Sequence, residues 1–283
     1  LTNELMSMKY DICVVSSSRA DFGLLLPLLR RLEASDSLIL KFIVTGSHLS
    51  IKHGHTVDAI EQSGVPIVAK VPVSINDTSA ADIACNIADM IKAFSTELGQ
   101  ISPHALVVLG DRYEMLGVVI AAKCLNIPII HIHGGELTFG AMDDSIRHSI
   151  TKFSNLHFVC SEPYRKRVIQ MGEDPDSVFN TGALGIDNIV NMQLLSKAEL
   201  ERGLKLQLCK KFIMVGFHSE TVGGNTLQSC EDMLTALDKI NDTTIIFTRP
   251  NADLHGSLIW AQFEEFSSKK SNTYLFENLG TVR

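Results

Sequence analysis

Residues 105–132 read ALVVLGDRYEMLGVVIAAKCLNIPIIHI. Ala105–Leu109 is a short apolar, β-branched run that stops at Gly110, the pattern of a strand buried on both faces. Arg112–Leu125 carries a helical pattern, and Ile127–Ile132 is a second apolar strand. Strand, helix, strand, with apolar rather than alternating strands, predicts a parallel sheet covered by helices on both sides.

The same rhythm extends in both directions. Further strands are expected at Asp11–Val15, Leu38–Val44, Ile67–Val71, Leu156–Cys160 and Val178–Asn180. Helices are expected at Gly23–Ala34, His55–Gln62, Ser79–Leu98, Ser145–Ser154 and Pro163–Met171. The polar segment Gln193–Lys211 then opens a second series: strand Phe212–Gly216, helix Leu227–Ile240, strand Thr244–Thr248, helix Leu258–Ser268 and strand Thr273–Phe276. The expectation is an α/β protein of two Rossmann-like lobes, residues 8–190 and 208–283. Three strands in the second are few for a doubly wound domain, so that lobe is expected to be incomplete.

The composition fits this class. With 283 residues and 45% hydrophobic side chains the chain can bury sizeable cores. A net charge of −7 argues against nucleic acid or an anionic membrane as the main partner. Six cysteines occur singly, with no C-x-x-C, and read as reduced core thiols of a cytoplasmic protein. The N-terminus lacks a signal-peptide layout, and no apolar run approaches the roughly 18 residues of a membrane span. Met8 reads as a natural start preceded by an extension.

In an open parallel sheet, ligands sit beyond the carboxyl ends of the strands. After the first strand comes Ser16-Ser17-Ser18-Arg19-Ala20-Asp21. It is not G-x-G-x-x-G, which disfavours a dinucleotide, but hydroxyls and Arg19 at a helix start suit a phosphate. Asp21 reads equally as a helix cap. His48 follows the second strand. Asp111 and Arg112 follow the fourth, where Asp111 is also a candidate N-cap. After the fifth, residues 131–148 gather His131, His133, Glu136, Asp143, Asp144, Arg147 and His148. Gly134-Gly135 permits a sharp turn or a close approach to a ligand. Helical spacing sets Asp143 against Arg147 and Asp144 against His148, and one of the two aspartates reads as a helix cap. Adjacent carboxylates beside a histidine and an arginine have pKa values pushed apart, as acid–base chemistry requires. His-x-His with carboxylates is also a zinc pattern, though no second compact ligand set accompanies it. In the second series His218, Arg249 and Asn251 stand beyond strand ends.

SSSRADFGLL, TGSHLS, LGDRYEM, HIHGGE, DDSIRH and RPNAD, in this order between about Lys9 and Leu279, resemble the hydrolysing UDP-N-acetylglucosamine 2-epimerases of sialic-acid biosynthesis. The resemblance implies a GT-B architecture with a deep cleft. It implies conversion of UDP-N-acetylglucosamine to UDP and N-acetylmannosamine by loss of the C2 proton, elimination of UDP and hydration of the glycal. A relative acting on UDP-N,N′-diacetylbacillosamine is the alternative within the family. A GT-B glycosyltransferase and an inactive binding remnant are the alternatives outside it. By motif, Asp111, His133, Glu136, Asp143, Asp144 and His218 are carried over as catalytic. Arg19, His48, Arg112, Arg147, His148, Arg249 and Asn251 are carried over as substrate-binding. No cofactor and no metal are expected. The partner is a UDP-sugar, without nucleic acid or membrane, and a homo-oligomer is expected. Family members often have HIEGGE where this chain has HIHGGE, so the glutamate's task falls to His133 or Glu136. Ser219 stands where proline is common. The family also continues past a LFENLG-like strand into a Ser-rich Gly loop that grips the diphosphate, and in this chain that stretch ends at Arg283.

Overall fold

The computed structural model describes residues 9–51, 55–73, 75, 80–191, 194–218, 225–250, 256–277 and 279. The chain divides into two compact units, Leu1–Val190 and Asn191–Arg283.

Unit 1 is built on seven strands: β1 (Tyr10–Ser16), β2 (Leu38–Thr45), β3 (Ile67–Val71), β4 (Ala105–Leu109), β5 (Ile129–Ile132), β6 (Leu156–Val159) and β7 (Val178–Asn180). They pair in the order β3-β2-β1-β4-β5-β6-β7, and every pairing is parallel. The connecting helices are α1 (Arg19–Glu33), α2 (Val57–Ser63), α3 (Ala80–Ile101), α4 (Tyr113–Cys124), α5 (Met142–Phe153) and α6 (Glu162–Gln170), with α7 (Leu184–Asn191) after β7. Successive strand residues face opposite sides, which is why the strands are apolar throughout. Cys13, Val15, Leu106 and Val108 pack with Met90 and Phe94 of α3 and Val118 of α4. The intervening Val14, Val107 and Leu109 pack with Leu25 and Leu29 of α1 and Ile60 of α2. The chain winds outward from β1 to β3, then returns to the middle and winds the other way from β4. The reversal lies between β1 and β4, where a doubly wound sheet leaves a crevice at its carboxyl edge.

Most helix starts shift by one to four residues from the expectation, and three of the shifts bear on the candidate site. α1 begins at Arg19 rather than Gly23, because Ser18 and Asp21 form a reciprocal capping box: Asp21 N–H donates to Ser18 Oγ (3.3 Å) and Ser18 N–H to Asp21 Oδ2 (3.1 Å). The cap is therefore Ser18, with Asp21 its partner. α4 begins at Tyr113 with Arg112 at its N-cap, so Asp111 is not the cap. α5 begins at Met142 with Ala141 at the N-cap, and Asp143 and Asp144 lie inside its first turn.

Unit 2 opens with a helix inside the polar segment Gln193–Lys211, where no helix was expected. α8 (Lys197–Leu204) starts with a capping box between Ser196 and Glu199. It continues with β8 (Lys211–Val215), α9 (Thr226–Asp238), β9 (Thr243–Thr248), α10 (Gly256–Lys269) and β10 (Thr273–Phe276). The strands run parallel in the order β10-β9-β8. Val215, Leu234, Ile245, Phe247, Ile259 and Phe263 form its core, with the Phe247 and Phe263 rings 4.5 Å apart between centroids. All six cysteines are free. Only Cys13 and Cys230 are buried, whereas Cys85, Cys124 and Cys209 are exposed and Cys160 is half-buried, so the expectation of core thiols holds for two. No helix among the described residues is long and apolar enough to cross a membrane.

Candidate active site

The carboxyl ends of β1, β4, β5 and β6 are neighbours in the sheet, and the loops leaving them bring together residues far apart in sequence. The hub is Arg147. It lies on the buried face of α5 beside Ile146, Ile150 and Thr151, and is only 7% exposed. Its guanidinium donates to Asp111 Oδ2 beyond β4 and to the His133 carbonyl beyond β5 (2.9 Å). It stands 3.2 Å from Glu136 Oε2 and reaches Thr138 Oγ1 at 3.4 Å. One cation thus joins two carboxylates from different loops. The pairing of Arg147 with Asp143 expected from helical spacing is replaced, because Arg147 turns inward to these acceptors.

Glu136 has a second support. The Cys160 thiol, just beyond β6, donates to its Oε1 at 3.0 Å. Burial, followed by this contact with Glu136, pushes the thiol up to about 12. His133 lies across the same carboxylate, with Nδ1 3.4 Å from Oε1. It adopts a left-handed backbone (φ 65°), unusual for a side chain with a Cβ. Its N–H donates to the Phe158 carbonyl (2.9 Å), which together with Arg147 clamps this peptide from both sides. Burial lowers the His133 pKa, with Glu136 opposing and Arg147 assisting, so the ring is biased towards its neutral form.

Asp143 sits half-buried in the first turn of α5. Burial, and next the negative charge of Asp111, raise its pKa. Its carboxyl is thus biased towards holding a proton. Asp144 is engaged structurally: Oδ1 accepts from Thr138 N–H at 2.8 Å, and Oδ2 is 3.8 Å from His148 Nε2. The expected Asp144–His148 pairing is therefore present at long range.

The β1 and β2 ends form the adjoining wall. His48 has no exposed surface. Its ring nitrogens are bonded to Ser16 Oγ and Thr56 Oγ1, both at 2.8 Å. Burial, aided by the charge of Arg112, lowers its pKa to about 4. Expected beside the substrate, His48 is held within the wall, with both ring nitrogens bonded to hydroxyls. Arg112 binds Glu114 side-on, Nη2 to Oε1 at 2.7 Å and Nε to Oε2 at 3.2 Å, and Glu114 is wholly buried. Although burial works against its charge, Glu114 and Asp21 hold the Arg112 guanidinium more firmly protonated than usual. Its side chain remains 37% exposed. Arg19 is exposed at the first turn of α1.

In unit 2, His218 is exposed just beyond β8. Arg249, beyond β9, pairs with Glu277 (2.5 Å) and lies over the Trp260 ring. Asn251 falls outside the described residues. Sequence reasoning missed Cys160, Thr138 and Glu114. A single cysteine after a strand looks like a core residue, and of the three only Glu114, inside G-D-R-Y-E, carried a local signal. The zinc alternative fails at His131, which is fully buried with Nε2 on the Gly110 carbonyl (2.8 Å) and Nδ1 on Thr151 Oγ1 (3.1 Å). The paired glycines serve protein packing. A Cβ on Gly134 would meet Thr151 Oγ1 at 3.0 Å and His131 Nδ1 at 3.1 Å, and one on Gly135 (φ +77°) would meet the Tyr164 carbonyl at 2.6 Å.

Residues 30–283 match the family model described as UDP-N-acetylglucosamine 2-epimerase. The chain is 39% identical over 277 residues to a Campylobacter jejuni protein named GDP/UDP-N,N′-diacetylbacillosamine 2-epimerase (hydrolyzing), covering 97% of this chain and 72% of the relative. It is 32% identical over 255 residues to a Legionella pneumophila protein named UDP-N,N′-diacetylbacillosamine 2-epimerase (hydrolyzing), covering 90% and 67%. Among solved structures, the UDP-GlcNAc 2-epimerase of Neisseria meningitidis bound to UDP-GlcNAc matches with a TM-score of 0.79 at 16% identity, covering 95% of this chain and 72% of that one. A family model spanning nine-tenths of the sequence, relatives of this closeness and the shared α/β fold lead to one conclusion: the chain belongs to the UDP-N-acetylglucosamine 2-epimerase family.

Proposed function

We propose that this chain is a hydrolysing 2-epimerase whose preferred substrate is UDP-N,N′-diacetylbacillosamine rather than UDP-N-acetylglucosamine. Relatives at 39% and 32% identity that bear the bacillosamine name support the choice of substrate, which reverses the order expected from sequence. The observation that carries the chemistry is the bridge from Asp111 through Arg147 to Glu136, with Asp143 beside it leaning towards its protonated form. An elimination followed by an addition needs a proton acceptor and a proton donor close together, and several carboxyl groups gather here.

In this reading a carboxylate of the Arg147-bridged pair takes the proton from C2. The C1–O bond to UDP breaks, its electrons leave with UDP, and a C1=C2 glycal forms. Water then adds its OH to C1, and C2 regains a proton from the opposite face, so the products are UDP and the free 2-epimeric sugar. Asp143 serves as a proton donor. Arg112, with one guanidinium edge committed to Glu114, offers the other to the departing diphosphate. By motif, Arg19, His148, His218 and Arg249 are proposed as further substrate-binding or catalytic residues. A carboxylate–imidazole site of this kind needs no cofactor.

The test is UDP release from each sugar nucleotide in D2O, followed by proton NMR at C2. The expected result is deuterium at C2 and a higher kcat/KM for the bacillosamine substrate, with Asp111→Asn and Asp143→Asn lowering turnover at least about 100-fold while circular dichroism is unchanged. Faster turnover of UDP-N-acetylglucosamine sinks the substrate assignment. Turnover without deuterium at C2 sinks the mechanism.

A further inference from the structure

We infer that His131 is a positioning residue of this site: it ties the peptide carrying Asp111 to the turn of α5 carrying Arg147. The inference rests on the 2-epimerase reading for what the site does, but the tie itself stands on geometry. His131 sits on β5 with no exposed surface. The Gly110 carbonyl can only accept, so Nε2 carries the hydrogen that reaches it at 2.8 Å. Gly110 is a left-handed residue (φ 76°) immediately before Asp111, so this bond sets the direction in which the Asp111 peptide leaves β4. On the other side Nδ1 meets Thr151 Oγ1, one helical turn beyond Arg147, and that hydroxyl also lies 3.1 Å from the Arg147 carbonyl. Gly134 completes the arrangement, since any Cβ there would press on both His131 and Thr151. The titratable and charged groups around the ring are His157 on β6, Arg147 on α5 and His133 in the following loop. Burial leads, and these three cations or potential cations add to it, in lowering the His131 pKa to about 3, against the Gly110 bond.

The test uses three substitutions and one spectrum. His131→Gln can place an amide N–H where Nε2 was; His131→Asn reaches only the Thr151 side; His131→Phe keeps the ring and removes both bonds. We expect Asn and Phe to lower kcat about tenfold or more with KM within about threefold, and Gln to retain most of kcat, because positioning acts on the transition state more than on binding. In 15N spectra of the whole chain, the His131 ring should be protonated at Nε2 only and unchanged between about pH 5 and 8. Wild-type kcat in the Phe variant, a Gln variant as poor as Phe, or an Nδ1–H tautomer overturns the inference. Where Phe prevents folding, the Asn–Gln contrast and the spectrum decide. A wild-type chain that turns over no sugar nucleotide removes the 2-epimerase reading, while the tautomer still decides the tie.

Discussion

Arg147 serves Asp111, Glu136 and a backbone carbonyl with one planar group, and a point charge cannot do the same. Arg147→Met leaves two partly buried carboxylates facing each other without a cation. It should lower unfolding stability by about 3–5 kcal/mol in urea titrations and reduce kcat at least about 100-fold. Arg147→Lys should recover much of the stability and little of the rate, and equal recovery of both would show that bridging geometry is unimportant. A second expectation concerns pH. His48 and His131 have folded-state pKa values of about 4 and about 3, below the ordinary 6.5. The neutral forms are favoured by folding, so their contribution is complete above pH 6.5 and is lost as pH falls through 4 and 3. Urea midpoints should therefore drop below pH 6.5, each ring contributing a slope of about 1.4 kcal/mol per pH unit until its folded pKa is reached. His48→Gln should flatten the profile relative to wild type, and an unchanged slope would contradict the buried neutral ring. At this scale the sequence showed which charged residues gather beyond the strand ends better than what they touch. The D-D-x-x-R-H spacing is a local rule and named the wrong acid for Arg147. The true partners, Asp111 and Glu136, are brought in by two other strands, which no helical spacing encodes.

The loops between strands and helices owe their shape to close packing. Gly117 shows how this overrides intrinsic preference. It lies in the middle of α4, where alanine would raise helix propensity by about 1 kcal/mol. Yet a Cβ there would sit 2.6 Å from Met90 Cβ and 2.9 Å from the Ile87 carbonyl of α3. Gly117→Ala should therefore destabilise unit 1 by about 1–3 kcal/mol in urea unfolding. Stabilisation would mean that α3 and α4 can move apart cheaply. Gly135→Ala should cost more, since it combines a left-handed backbone with a contact to the Tyr164 carbonyl. Element types and order were readable because apolar strands and helical runs alternate so regularly. Helix starts were not, because Ser18 rather than Asp21 caps α1, and α4 and α5 start at Arg112 and Ala141 without any side-chain cap bond, where aspartate caps were expected. The S-x-x-E box of α8 was present in the sequence, but its polar surroundings masked it.

Across the seven-stranded sheet, burial peaks at the centre. Cys13, Val14, Ile43, Leu106 and Val108 are all 0% exposed, whereas β3 alternates half-buried and exposed positions and β7 keeps only Val178 inside. Hydrogen exchange should therefore be slowest in β1, β2 and β4 and fastest, among the strands, in β3 and β7. Strong protection at β7 would imply a cover for Phe179, which is 44% exposed. The doubly wound plan was legible because it depends on hydrophobic period alone, which the sequence displays openly. The network beyond the strand ends depends on which strands become neighbours, and that emerges only when β4 returns to the side of β1. The same winding sends the crossover helices of unit 1 back from the carboxyl rim to the far rim of the sheet. There the side chains of His104 and Asn155 bond the backbone N–H groups of Asp11 and Ile129, and α4 delivers the exposed thiol of Cys124. With Cys85 and Cys209 changed to serine, Cys124 becomes a handle for a fluorophore or a surface tether. Immobilised by that handle, unit 1 would present the carboxyl rim of its sheet outward to the solution.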